Sequence, residues 1–150
     1  MRKWQANLHS EKENDLANLL AFDRQLSLPG KILVGIDEAG RGPLAGPVVS
    51  AAVVLDINCP HEALIGLNDS KKLSPARREE LANSIRQHAL AIGIGSASVS
   101  EIDRLDIEKA TFLSMRRALE DSGVIPDLIL VDGKRDPGLG FPTRCIIGGD

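Results

Sequence analysis

Residues 32–46 read ILVGIDEAGRGPLAG. An apolar run, Ile32-Leu33-Val34, leads into two adjacent carboxylates, Asp37 and Glu38, and then into Gly40-Arg41-Gly42. The apolar, partly β-branched stretch predicts a strand over Lys31 to Asp37. Neighbouring strand residues point to opposite faces, so Asp37 and Glu38 can serve one site only if the strand bends or ends between them. Ala39-Gly40-Arg41-Gly42-Pro43 is expected to supply that ending, and its glycines let the backbone come close to a ligand.

Outward from this stretch, the run VVSAAVVL up to Leu55 predicts a second strand. Ser74-Pro75 opens a helix to about His88, because Ser is a good N-cap and Pro suits the first helical position; Leu81 and Ile85 form its inner face. Residues 90–99 (LAIGIGSASV) read as a third strand whose small residues allow close packing. Ser100, with Asp103, is expected to cap a helix running to about Asp121 with a break near Asp106. Ile107, Ala110, Ser114 and Ala118 give that helix a small-residue face, and Phe112, Met115 and Leu119 an apolar one, so burial on more than one side is expected. Gly123 ends it. Leu128 to Asp132 (LILVD) reads as a central strand covered on both faces, and Thr143 to Ile147 as the last. A further helix is expected over about 11–26, ending before Pro29-Gly30. The order β-β-α-β-α-β-β implies a mixed sheet with helices.

Three predicted strands end on or near acids: Asp37-Glu38, Asp132 and Asp150. Ligands of open α/β sheets bind outside the carboxyl ends of strands. Clustered carboxylates repel unless cations neutralise them, and an all-oxygen donor set without His or Cys favours hard ions such as Mg²⁺ or Mn²⁺. Two such ions suit phosphodiester chemistry. On pattern alone a metal site and ordinary loop charges stand equally open.

Composition narrows the classes. The chain has 150 residues, 43% hydrophobic and 26% charged, with net charge −3, in keeping with one globular domain rather than a protein that coats nucleic acid by bulk charge. Lys71-Lys72, Arg77-Arg78, Arg116-Arg117 and Lys134-Arg135 are small basic clusters of the kind that usually form solvated faces. No run is long enough for a membrane span and no signal-type region opens the chain, so a cytoplasmic protein is expected. Cys59 and Cys145 form no CxxC, and His9, His61 and His88 lack ligand spacing, which argues against a disulfide framework or zinc. Gly35 to Gly42 has P-loop glycine spacing, but Arg41 stands where Lys belongs and Gly42 where Ser or Thr belongs; the glycines of 40–46 miss the dinucleotide fingerprint by one residue. There is no GxSxG elbow.

The stretches GIDEAGRGPLAGPVV, LNDSKKLS, EIDRLDIEKATFLSMRRAL and LVDGKRDP together resemble bacterial ribonuclease HII, the type 2 ribonuclease H, in order and spacing from about Ile32 to Asp150. The resemblance implies a ribonuclease H-like α/β fold, a mixed five-stranded sheet flanked by helices. It implies an endoribonuclease that hydrolyses the RNA strand of RNA–DNA hybrids and nicks duplex DNA 5′ of a single ribonucleotide, leaving a 3′-hydroxyl and a 5′-phosphate. Asp37, Glu38, Asp132 and Asp150 match the family's catalytic, metal-binding acids, with two Mn²⁺ or Mg²⁺ ions expected during catalysis. Gly40-Arg41-Gly42 match the backbone contacts to the ribose 2′-hydroxyl, the group that separates RNA from DNA. Asn68, Ser70 and Lys71 match a phosphate-contacting loop. The implied partners are RNA–DNA hybrid or ribonucleotide-containing duplex DNA, with no membrane, a monomeric state and a place in ribonucleotide excision repair.

On this reading residues 1–30 are an N-terminal helical extension and 31–150 a ribonuclease H-like catalytic domain. Relatives continue beyond the position of Asp150 into helices that carry a tyrosine read as stacking at the junction. This chain has no tyrosine, and is expected to lack that C-terminal part. Another metal-dependent nuclease on the same fold, an inactive hybrid-binding fragment and a plain structural α/β domain are the alternatives.

Overall fold

The computed structural model describes residues 30–42, 46–56, 58, 64–65, 67 and 73–146. Its elements, in chain order, are β1 (Leu33–Ala39), β2 (Val48–Leu55), α1 (Pro75–His88), β3 (Ala89–Ala97), α2 (Val99–Leu105), α3 (Ile107–Ser122), β4 (Leu128–Asp132) and β5 (Thr143–Ile146). The helix expected over 11–26 lies outside the described residues. The described residues divide into two compact units, one within 30–54 and 90–146, the other within 55–89.

The first unit holds a five-stranded sheet in the order β3-β2-β1-β4-β5. β1 runs antiparallel to β2 and parallel to β4, and β4 runs parallel to β5. This is the mixed five-stranded sheet implied by the resemblance. Val48, Ser50, Ala52 and Val54 of β2 are buried while the residues between them are half-exposed, so one face is packed and the other only partly covered. Val34, Ile36, Ala52, Val54, Ile129 and Val131 from the sheet meet Met115, Ala118 and Leu119 of α3 in the main core. β4 buries three consecutive residues, Ile129, Leu130 and Val131, as a central strand must. Asp127 ties the entries of β1 and β4 together: its carboxylate accepts from Ile32 N–H at 2.8 Å and pairs with Lys31 at 2.7 Å.

The small residues foreseen on β3 and on α3 are two sides of one contact. A Cβ on Gly93 would run into the backbone at Ala118 and Ser122, and one on Gly95 into the backbone at Ser114 and Ala118. The helix backbone therefore lies directly on the strand, a distance that only glycine permits. α3 also covers the rim of β3, which is an edge strand of the sheet. Asp121 Oδ2 accepts from Ile94 N–H at 2.8 Å, and Arg117 Nη1 donates to the Ser96 carbonyl at 2.7 Å. Side chains thus satisfy backbone groups that would otherwise offer a pairing edge. A buried hydroxyl pair, Ser50 with Ser114 at 2.6 Å, ties β2 to the same helix.

The break at Asp106 is present: this residue takes φ 76°, closes α2 and caps α3 by accepting from Lys109 N–H. The N-cap of α2 is Ser98 rather than Ser100. Ser98 Oγ accepts from Glu101 N–H at 3.3 Å while Glu101 accepts from Ser98 N–H at 2.9 Å, a complete capping box. Asp103 stands two residues too late for that role. Gly123, in the left-handed region, ends α3 as expected. In the second unit, Ser74 caps α1 and Leu81 is buried, while Ile85 packs with Leu55, Ile65 and Leu67 around the buried Leu64.

Gly95→Ala is expected to destabilise the protein by about 2 kcal/mol, since an added methyl must push α3 off the sheet. Urea unfolding checks this, and an unchanged midpoint would contradict the contact. The Glu101 carboxyl is lowered to about 2, first by the hydrogen bond from Arg117 and then by the Ser98 backbone N–H. Its folded value lies below the unfolded one, so its stabilisation is complete above about pH 4.5 and is lost as pH falls towards 2. Glu101→Gln should flatten that part of the stability–pH profile, measured by urea midpoints between those limits.

Candidate active site at the carboxyl ends of β1 and β4

The register of β1 on β4 pairs Leu33 with Leu128 and Ile36 with Val131, so Asp37 and Asp132 each follow the last paired residue of their strand. The two acid-bearing ends therefore lie side by side in the middle of the sheet. β1 does not stop between its carboxylates, however. It continues through Glu38, paired with Ser50, to Ala39, paired with Val49. The ladder to β2 keeps the chain extended there, and the expected ending comes only at Gly40.

This extension separates the two acids by face. Glu38 shares the side of Val34 and Ile36, whose side chains pack towards α3, and its own side chain is only 11% exposed. Asp37 is exposed, and its Oδ1 accepts from Glu38 N–H at 2.7 Å. Glu38 Oε1 accepts from Arg41 Nη1 at 2.8 Å, whereas Glu38 Oε2 is buried with no hydrogen-bond partner. A buried carboxylate oxygen left unpartnered is costly and marks a position where a cation or donor fits.

Glu38 also lines a cavity of about 390 Å³. Asp132 and Arg41 line it with Glu38. Thr111, Phe112 and Met115 of α3 line it too, with Gly133, Lys134 and Arg135 from the loop after β4. Glu108, at the first turn of α3, pairs with Arg135 at 2.6 Å. Asp37 is not among the lining residues. Among the described residues no group of three or more His, Cys, Asp or Glu gathers closely enough to hold a metal ion. Of the four candidate acids, Glu38 and Asp132 both line this cavity. Asp150, Asn68, Ser70 and Lys71 lie outside the described residues. Two carboxylate residues on one cavity, with a Glu38 oxygen buried and unpartnered, have the all-oxygen chemistry that suits a hard divalent cation.

The glycine-flanked arginine divides into unlike parts. Gly40 has φ 95°, and a Cβ there would meet the Pro47 carbonyl oxygen at 2.5 Å. Gly42 has open space around it. Only the first glycine is therefore demanded by the turn itself.

The family model for ribonuclease HII matches residues 34–144, well over half of the chain. This chain belongs to the ribonuclease HII family. It is 55% identical over 122 residues to a protein of Burkholderia pseudomallei (strain 1710b) named ribonuclease HII, covering 81% of this chain and 56% of that one. The chain thus spans little more than half the length of the curated relative. Among solved structures it resembles ribonuclease H2 from Pyrococcus horikoshii OT3, with a TM-score of 0.62, 29% identity, and coverage of 76% of this chain and 60% of that one. It also resembles Bst-RNase HIII in complex with Mn²⁺, with a TM-score of 0.58, 22% identity, and coverage of 71% and 38%. That last likeness shows the fold alone.

Sequence reasoning did not find the α3 wall of this ribonuclease HII family cavity. Its signal lay in Phe112 and Met115, spaced to share a helix face, but nothing in the chain says that this face meets the acids. Lys134-Arg135 stood out only as a basic cluster. Gly40→Ala is expected to lower the melting temperature, because the added methyl collides with Pro47. Gly42→Ala should leave it unchanged. Thermal melts of the two variants decide it, and equal losses would show that both glycines serve the backbone.

Proposed function

We propose that this chain carries the catalytic acids of an endoribonuclease that hydrolyses the RNA strand of RNA–DNA hybrids and nicks duplex DNA 5′ of single ribonucleotides. The observation that carries the reading is that Glu38 and Asp132 line one cavity, with Glu38 Oε2 buried and without a partner. Membership of the ribonuclease HII family supports it independently.

In the proposed reaction a water oxygen attacks the phosphorus, the bond to the 3′-oxygen breaks, and that oxygen leaves as a 3′-hydroxyl after gaining a proton. The 5′-phosphate stays on the ribonucleotide side. Glu38 and Asp132 are the ligands the cavity offers to Mn²⁺ or Mg²⁺, with Asp37 and Asp150 as the further acids of the family pattern. Bound divalent ions, two in the full site, would supply Lewis-acid stabilisation of charge on the phosphoryl oxygens. Arg41 holds one Glu38 oxygen, and the other, buried without a partner, would be the ligand Glu38 offers. The Gly40-Arg41-Gly42 backbone would read the 2′-hydroxyl, and Asn68, Ser70 and Lys71 would contact phosphates. Rejection of DNA follows if these groups stay unpaired when the hydroxyl is missing. A monomeric cytoplasmic enzyme that serves ribonucleotide excision repair completes the proposal.

The test uses a labelled DNA duplex carrying one ribonucleotide, beside an all-DNA duplex, with Mn²⁺, with Mg²⁺ and with chelator. The expected result is a metal-dependent nick 5′ of the ribonucleotide alone, reduced to background in Glu38→Gln and Asp132→Asn. Equal cutting of the all-DNA duplex, or full activity in both variants, would overturn the proposal.

A further inference from the structure

We infer that Lys134 is a positioning residue that binds a phosphate of the nucleic-acid substrate at the mouth of the Glu38–Asp132 cavity; this rests on the function proposed above. Three cationic side chains line the cavity: Arg41, Lys134 and Arg135. Two are committed to carboxylates, Arg41 to Glu38 at 2.8 Å and Arg135 to Glu108 at 2.6 Å. Lys134 forms no ion pair among the described residues and is exposed. It is the cation with charge left to offer a ligand.

Its placement is also built. Lys134 stands two residues after Asp132, and Gly133 between them has φ 144°, which sets the direction in which the chain leaves β4. Gly133 N–H donates to the Ile146 carbonyl at 3.0 Å, fixing the loop on one side of Lys134. On the other side the Arg135–Glu108 pair ties the loop to α3, Arg116 donates to the Gly138 carbonyl at 3.1 Å, and Leu139 is buried in the core. The lysine is thus held at its root while its ammonium remains free to move.

Electrostatics supply the reason. A cavity whose chemistry is carried by Glu38 and Asp132 repels a phosphodiester, and Arg41 and Arg135 already spend their charge on acids. A compact ammonium on a flexible stem is suited to a phosphate as a point charge. Contact with the sugar–phosphate backbone positions without reading sequence, so Lys134 should act alike on every duplex.

The experiment measures duplex binding by fluorescence anisotropy from low to moderate KCl, without divalent ions, for the whole chain and for Lys134→Ala and Lys134→Arg. Nicking kinetics and Mn²⁺ calorimetry on the same proteins accompany it. The expected result for Lys134→Ala is affinity weakened roughly five- to tenfold for ribonucleotide-bearing and all-DNA duplexes alike, with the salt slope lower by about 1. KM should rise with kcat kept, Mn²⁺ affinity should stay unchanged, and Lys134→Arg should restore the slope. A wild type that nicks while Lys134→Ala keeps its slope and affinity would overturn this inference alone. A changed Mn²⁺ affinity with an unchanged slope would overturn it too, and assign Lys134 to neutralising Asp132. A wild type that neither binds nor nicks would overturn the proposed function and this inference with it.

Discussion

The site depends on one pairing, the parallel ladder of β1 on β4 at the centre of the sheet. Its register sets Ile36 beside Val131, so the residues that follow, Asp37 and Asp132, emerge at the same end of the sheet. Any slip by one residue would turn each side chain to the other face and send Glu38 away from α3. Several features resist that slip. Val34, Ile36, Ile129 and Val131 must stay on the packed face, and Asp127 clamps the strand entries through Ile32 and Lys31. Burial of apolar side chains thus decides where the carboxylates stand.

The second constraint is the closeness of α3 to β3. Gly93 and Gly95 bring the helix backbone onto the strand, and Arg117, Asp121 and Ser114 bind it at the rim and at β2. The same helix supplies Thr111, Phe112 and Met115 to the cavity and Glu108 to its loop. Packing at one edge of the sheet therefore sets the wall of a cavity at its centre. Arg117 serves both ends of this arrangement, since it also pairs with Glu101 at 2.8 Å and so joins the start of α2 to α3.

Much of this was legible in the sequence, and the reasons are local. The β-branched run pointed to β2 and the continuous apolar run LILVD to β4, Ser74-Pro75 and Gly123 marked helix ends, and the small residues of β3 and α3 pointed to a close approach. The cap of α2 was misread because Ser98 and Ser100 are equally good caps in isolation. Glu101, three residues after Ser98, was the signal that separates them. The end of β1 was placed too early because the glycines outweighed the pairing partner: the ladder to β2 holds Glu38 and Ala39 extended, and no local rule contains that. The division of Asp37 and Glu38 between faces follows from the same long-range contact. Which helix face would close over Glu38 is a matter of topology, and it lies beyond any single stretch of chain.

Taken together, a core built on one face of the sheet ends in a carboxylate that the core itself buries. Glu38 continues the packed row of Val34 and Ile36, and this is why one of its oxygens has no solvent and no donor. In the proposed function this oxygen and Asp132 take a divalent cation. The most direct measurement is isothermal titration of Mn²⁺ into the wild type, Glu38→Gln and Asp132→Asn. Binding by the wild type with loss in both variants is the predicted result. Unchanged binding in the two variants would contradict it and place the ion elsewhere.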